Sequence, residues 1–83
     1  MEENRVAILG IIISDTDCAE SVNALLHDYN QYIVGRMGIP YHLKNINIIC
    51  VVMDAPQPII SNLSGKIGRL QGVNCKVTYS QKQ

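Results

Sequence analysis

Few residues in this 83-residue chain have chemistry to offer: two histidines, three cysteines and a short basic run among glycines. A catalytic base needs a partner within hydrogen-bond reach. His27 lies beside Asp28, but sequence neighbours do not share a helix face, and His42 stands in a polar turn. No GxSxG, HExxH or GxGxxG run occurs. The sequence therefore reads as a non-enzyme with no catalytic residue and no cofactor. Cys18, Cys50 and Cys75 are widely spaced and form no CxxC pair, so spacing gives no zinc or iron–sulfur site. In a reducing compartment they would serve as small apolar residues. His27, His42 and a cysteine meeting across a subunit interface could hold nickel, zinc or copper. Spacing neither supports nor excludes that arrangement, and a metal sensor or chaperone stays open beside a regulatory module.

Ligand-binding candidates are Arg36, Gly65, Lys66, Gly68 and Arg69. The run Ser64-Gly65-Lys66-Ile67-Gly68-Arg69 superficially suggests a phosphate cradle. A P-loop, however, needs GxxxxGK[ST] after a strand, and here isoleucine follows Lys66 within a helical pattern. Ser61, Gly65, Gly68 and Gly72 recur every three or four residues. Each mid-helix glycine costs about 1 kcal/mol relative to alanine, so the stripe is expected to face a closely approaching backbone or a ligand. On that reading Gly65→Leu overpacks, at a cost of about 1–3 kcal/mol. Arg36, in Gly35-Arg36-Met37-Gly38, is either a solvated edge-strand residue or a contact to an anion or a second subunit.

These residues need a scaffold, and the hydrophobic pattern supplies one. Residues 5–13 are short, β-branched and apolar, as a strand requires. Ser14-Asp15-Thr16-Asp17 breaks the run. Asp17 is placed to cap a helix over residues 18–32, with Glu20 reaching back and Val22, Leu25, Leu26, Tyr29 and Ile33 at helical spacing. A second strand places Ile33, Gly35, Met37 and Ile39 on one face and ends at Pro40. Residues 46–53 form a third strand. Asp54-Ala55-Pro56 opens a second helix, where proline is tolerated in the first turn, with Ile59, Ile60, Leu63, Ile67 and Leu70 as its buried stripe. Gly72 stops that helix, residues 73–79 make a fourth strand, and residues 80–83 form a frayed polar tail.

Strand, helix, strand, strand, helix, strand is the ferredoxin-like βαββαβ order of an α+β fold: a four-stranded antiparallel sheet with two helices on one face. The whole chain, residues 1–83, reads as one domain. The first and third strands are expected to be central and parallel to each other, the second and fourth to be edges. Apolar content of 47% suits a packed core. No apolar run approaches the roughly 18 residues of a membrane span. The Val6–Ile13 run follows Glu2 and Glu3 where a signal peptide would carry basic residues, which points to the cytoplasm. Acidic and basic residues balance at seven each, so no basic surface calls for nucleic acid.

Two helices cover one face of such a sheet. In the first strand Val6, Ile8 and Ile12 oppose Ala7, Leu9, Ile11 and Ile13; in the third, Ile46, Ile48, Cys50 and Val52 oppose Ile49, Val51 and Met53. Whichever set misses the helices forms a large apolar patch. Burying about six such side chains is worth roughly 10 kcal/mol before association costs. A homo-oligomer, dimer or tetramer, is the expected state.

Three runs also carry a family likeness: Leu25-Leu26-His27, Arg36-Met37-Gly38-Ile39-Pro40, and Leu63-Ser64-Gly65-Lys66-Ile67-Gly68 with Gly72-Val73 beyond it. Over nearly its whole length the chain resembles the iron-only hydrogenase system regulators. That resemblance implies an ACT-like fold, similar to the effector half of nickel-responsive repressors. Such domains pair through sheets or edges and bind amino acids or metals at subunit junctions. Two departures matter. Only four residues precede the first strand, which leaves no room for the repressors' ribbon-helix-helix DNA reader. The loop Ser14-Asp15-Thr16-Asp17-Cys18 lacks the glycine that amino-acid-binding ACT domains favour. The resulting expectation is a homo-oligomeric regulatory or binding module, answering to a small-molecule effector or a partner protein and not to DNA. A plain protein-interaction domain without a ligand is the remaining alternative.

Overall fold

The computed structural model describes residues 3–81. Strands β1 (Asn4–Ile13), β2 (Ile33–Tyr41), β3 (Ile46–Pro56) and β4 (Val73–Tyr79) and helices α1 (Ala19–Asp28) and α2 (Gln57–Gly68) follow the order β1-α1-β2-β3-α2-β4. The sheet runs β2-β3-β1-β4, so the α+β, ferredoxin-like architecture stands. One expectation is overturned: β1 and β3 pair antiparallel, with Leu9 opposite Val51 and Gly10 opposite Cys50. The helical crossover from β1 lands on β2, not on β3, and the β2–β3 hairpin turns the chain back between them. It is therefore β1 and β2 that run in the same direction.

Alternation decides which residues form the core. Ala7, Leu9, Ile11 and Ile13 from β1 and Ile49, Val51 and Met53 from β3 meet Val22 and Leu26 of α1 and Ile60, Leu63 and Ile67 of α2. No polar or charged residue is buried among the described residues. The ten residues Leu9, Ile11, Ile13, Val22, Leu26, Val51, Met53, Ile60, Leu63 and Ile67 are all fully buried, and large side chains of this kind contribute roughly 1.5–3 kcal/mol each.

The element ends depart from expectation for local reasons. Asp15, not Asp17, caps the entry to the helical segment: its carboxylate accepts from the Asp17 backbone N–H at 3.0 Å, opening a single 3₁₀ turn over Thr16–Cys18. α1 stops at Asp28, and a separate 3₁₀ turn, Asn30–Tyr32, leads into β2. Pro40 does not end β2; it lies within the strand, opposite Asn47, as an edge strand permits. Asp54, Ala55 and Pro56 extend β3 by pairing with Val6, Arg5 and Asn4. The proline of the α2 first turn is Pro58, one residue inside the helix start at Gln57.

β2 carries a register shift between Ile33 and Gly35. Ile33 packs against the core, while the bulge sends Gly35, Met37 and Ile39 to the opposite face, so the four do not share one side. Of the tail, Ser80 is held: its N–H donates to the Val6 carbonyl at 2.9 Å, and its own carbonyl accepts from Arg5 Nη2 at 3.5 Å. Lys82 and Gln83, like Met1 and Glu2, lie outside the described residues. Arg5 also stacks over the Tyr79 ring at 4.3 Å, which ties the start of β1 to the end of β4.

Candidate functional site

The helical layer covers the sheet unevenly. α2 packs on β4, β3 and β1, whereas every residue of β2 after Ile33 is exposed. Pairing with Val51, Ile49 and Asn47 places Arg36, Gly38 and Pro40 on the helix side of the sheet. A pocket of about 320 Å³ opens there, between the first turns of α1 and the β2–β3 edge. Ile13, Ala19 and Ile49 give it an apolar wall; Asn23, Arg36 and Asn47 bring polar groups to it. Arg36 Nη2 donates to Asn23 Oδ1, so the guanidinium is drawn toward α1.

The other candidates lie elsewhere. Gly65, Lys66 and Gly68 belong to α2 and Arg69 caps it; none of them lines the pocket. Lys66 Nζ donates to the Tyr29 hydroxyl at 3.1 Å and lies 5.3 Å from the centre of that ring, joining the two helices at their ends. Among the described residues, the helical part of the glycine stripe does not meet a closely packed backbone. A Cβ on Gly65 would meet only the Arg69 guanidinium, at 3.8 Å, and one on Gly68 would meet nothing within 4 Å. The overpacking expected of Gly65→Leu therefore has no rigid neighbour to act against. Gly72 is the exception, and it lies beyond the helix. Its φ is +74°, and a Cβ there would come within 2.6 Å of the Asp15 Cβ. Its carbonyl accepts from Ser14 N–H at 2.7 Å. Gly72 thus serves the junction of two loops.

Among the described residues, no three of histidine, cysteine, aspartate and glutamate converge as a metal site. Cys18 Sγ donates to the Gln71 carbonyl at 3.0 Å. Burial pushes the Cys75 thiol above its ordinary range, which keeps it protonated and unreactive near neutrality. Cys50 lies on the sheet face turned away from the helices, between Gly10 and Met37.

That open face is the second feature of the surface. Val6, Ile8 and Ile12 of β1 and Met37, Ile39 and Tyr41 of β2 flank Ile46, Ile48, Cys50 and Val52 of β3. Val6, Ile8, Ile12, Met37, Ile39 and Tyr41 are all between 40% and 57% exposed. Asn74, Lys76 and Thr78 of β4 border the patch on one side. At the hairpin tip, where Asn45 takes a left-handed conformation, Leu43 is 86% exposed.

Residues 5–77 match the family described as "TM1266-like: Iron-only hydrogenase system regulator, putative". The chain belongs to the TM1266-like family. Among solved structures, the uncharacterized protein TM1266 from Thermotoga maritima is similar to it, with a TM-score of 0.91 and 34% identity over 95% of this chain and 100% of that one. No functionally curated protein matches. The TM1266-like fold thus embraces the pocket, the open face and the α2 basic run together, since the matched span runs from Arg5 to Val77. Among the described residues, no helix is long and apolar enough to cross a membrane.

Neither Asn23 nor Asn47 is evident as a site residue in the sequence. They lie 24 positions apart in the chain and meet only because α1 folds back over the β2–β3 hairpin. Arg36 is evident, flanked as it is by glycines; its direction is not, because the bulge sets the phase of β2.

Proposed function

We propose that the chain is a homo-oligomeric, ACT-like regulatory module of an iron-only hydrogenase system, acting in the cytoplasm by binding and not by catalysis. One observation carries the reading: the apolar open face of the sheet. Four strands about 4.8 Å apart and about 30 Å long offer roughly 600 Å² before side-chain relief. That approaches the roughly 800 Å² per partner of a standard interface. A second copy is the best-matched occupant. The centre of the face is uncharged, and Asp54 and Lys76 stand near its borders, where two copies related by a twofold axis can place opposite charges near one another. The family description supports the regulatory role. The balanced charge of seven acidic and seven basic residues favours signalling through a protein partner over direct nucleic-acid contact.

The test is sedimentation velocity at micromolar concentration. The proposal expects a dimer or tetramer, and expects Ile8→Asp, which sets a carboxylate in the middle of the face, to yield a folded monomer. A wild-type chain that sediments as a 9.2 kDa species would sink it.

A further inference from the structure

The pocket beside Arg36 carries a single formal charge, and it is positive. We infer that it binds a small organic monocarboxylate, with the carboxylate on the Arg36 guanidinium and an apolar body against Ile13, Ala19 and Ile49. Guanidinium presents five N–H donors in a planar fork that matches a carboxylate. The bond to Asn23 Oδ1 engages Nη2 and orients the fork, leaving other donors for a ligand. The Asn47 side chain adds amide donors and an acceptor at the same pocket.

The lining also says what the ligand is not. No acidic residue lines the pocket, so the ammonium of an amino acid would find no counter-charge. Phosphate would set up to two negative charges against one arginine and apolar walls. A single negative charge on an apolar body fits both constraints. The volume, about 320 Å³, is at the small end of ligand sites, which span roughly 300–1,000 Å³.

Gly38 is the second, independent sign. A glycine inside a strand weakens it, so a bare position needs a reason. Backbone conformation gives none, because Gly72 is the one glycine with positive φ among the described residues. Crowding gives none either, since a Cβ on Gly38 would meet nothing within 4 Å. Gly10 and Gly35 are equally unencumbered, but they lie on the open face. Gly38 lines the pocket, and a side chain there would occupy the ligand's space.

This inference deepens the regulatory reading and rests on it for the role of effector. Its test is separate from sedimentation, so a monomer that binds carboxylate and an oligomer that does not are told apart. The ¹⁵N-labelled protein is titrated with straight and branched aliphatic monocarboxylates from propanoate to hexanoate. The matching primary amides and inorganic phosphate serve as controls, and the Arg36 Nε–H and the backbone amides of Gly38 and Asn47 are followed. At least one carboxylate should give saturable shifts at those signals, with its amide and phosphate at least tenfold weaker. Gly38→Val should fold, with an unchanged or higher melting temperature, and lose the shifts; Arg36→Gln should weaken binding at least tenfold. The inference is overturned if no carboxylate saturates, if amide or phosphate binds as well, or if both variants bind like the wild type. Should Gly38→Val not fold, Arg36→Gln, at an exposed position, decides the matter alone.

Discussion

Leu9 and Ile8 are neighbours on β1, yet Leu9 is fully buried and Ile8 is 48% exposed. The same contrast runs along β3, where Val51 is fully buried and Val52 only partly so. Along β1 and β3 both faces of the sheet carry mainly aliphatic side chains, and only one has a helical layer over it. The lesson is that alternation here sorts residues by side without sorting them by polarity. An ordinary half-buried antiparallel strand reads apolar, polar, apolar; β1 reads apolar without a break from Val6 to Ile13. A strand written that way fits a sheet covered on both sides, and the described residues supply one covering.

The contrast can be broken most forcefully at these two residues. Leu9→Ala should cost about 2–5 kcal/mol whatever the protein concentration, because the cavity opens inside the core. Ile8→Ala should cost little in a dilute sample and progressively more as concentration rises, since only association buries that side chain. Denaturant melts at two concentrations a hundredfold apart check this. A concentration-independent loss at Ile8 would mean that the open face works within the chain.

A smaller effect sharpens the contrast between the glycines. Gly72→Ala should destabilise by roughly 1–3 kcal/mol, because it combines a positive φ with a Cβ 2.6 Å from that of Asp15. Thermal unfolding measures it, and a neutral result would show that the loop junction yields freely. Gly65→Ala lies at the other end. With only the end of Arg69 nearby, at 3.8 Å, it should stabilise by about 0.5–1 kcal/mol through helix propensity. A loss of stability there would reveal a partner seated on α2.

Much of the fold was legible in the sequence because strand and helix periods differ and both are strongly marked. Spacing marks Leu63 and Ile67 as buried and separates Leu9, Ile11, Ile13, Val51 and Met53 from the opposite face, but it does not say which of the two faces the helices cover; the structure decides that. Strand direction is not carried by periodicity; it follows from the order of elements, since a helical crossover to β2 and then a hairpin to β3 leave β3 antiparallel to β1. Asp54, Ala55 and Pro56 read as a helix opening by composition; their pairing with Asn4, Arg5 and Val6 held them in the sheet. The helix cap went to Asp15, not Asp17, because the chain makes a 3₁₀ turn before α1. The candidate site was half legible. Arg36 stands out by its neighbours, but the pocket is made by Ile13, Asn23 and Asn47 arriving from three elements, a meeting that no local pattern records. The α2 run Gly65, Lys66, Gly68 and Arg69 stood out as strongly, and it lies outside the pocket.

The position of β4 in the sheet bears on how the chain is made. Ala7 pairs with Tyr79 and Ile13 with Val73, so the outer neighbour of β1 is the last of the four strands to leave the ribosome. The β2–β3 hairpin is local and can close early, and β1 can dock on β3 as soon as β3 appears. Until β4 arrives, β1 carries an unpaired edge along an apolar strand, the kind of edge that recruits other chains. The interval lasts until α2 has folded and carried β4 back beside β1. A change that slows the folding of α2 lengthens that interval and favours aggregation, even for a chain whose finished form is stable.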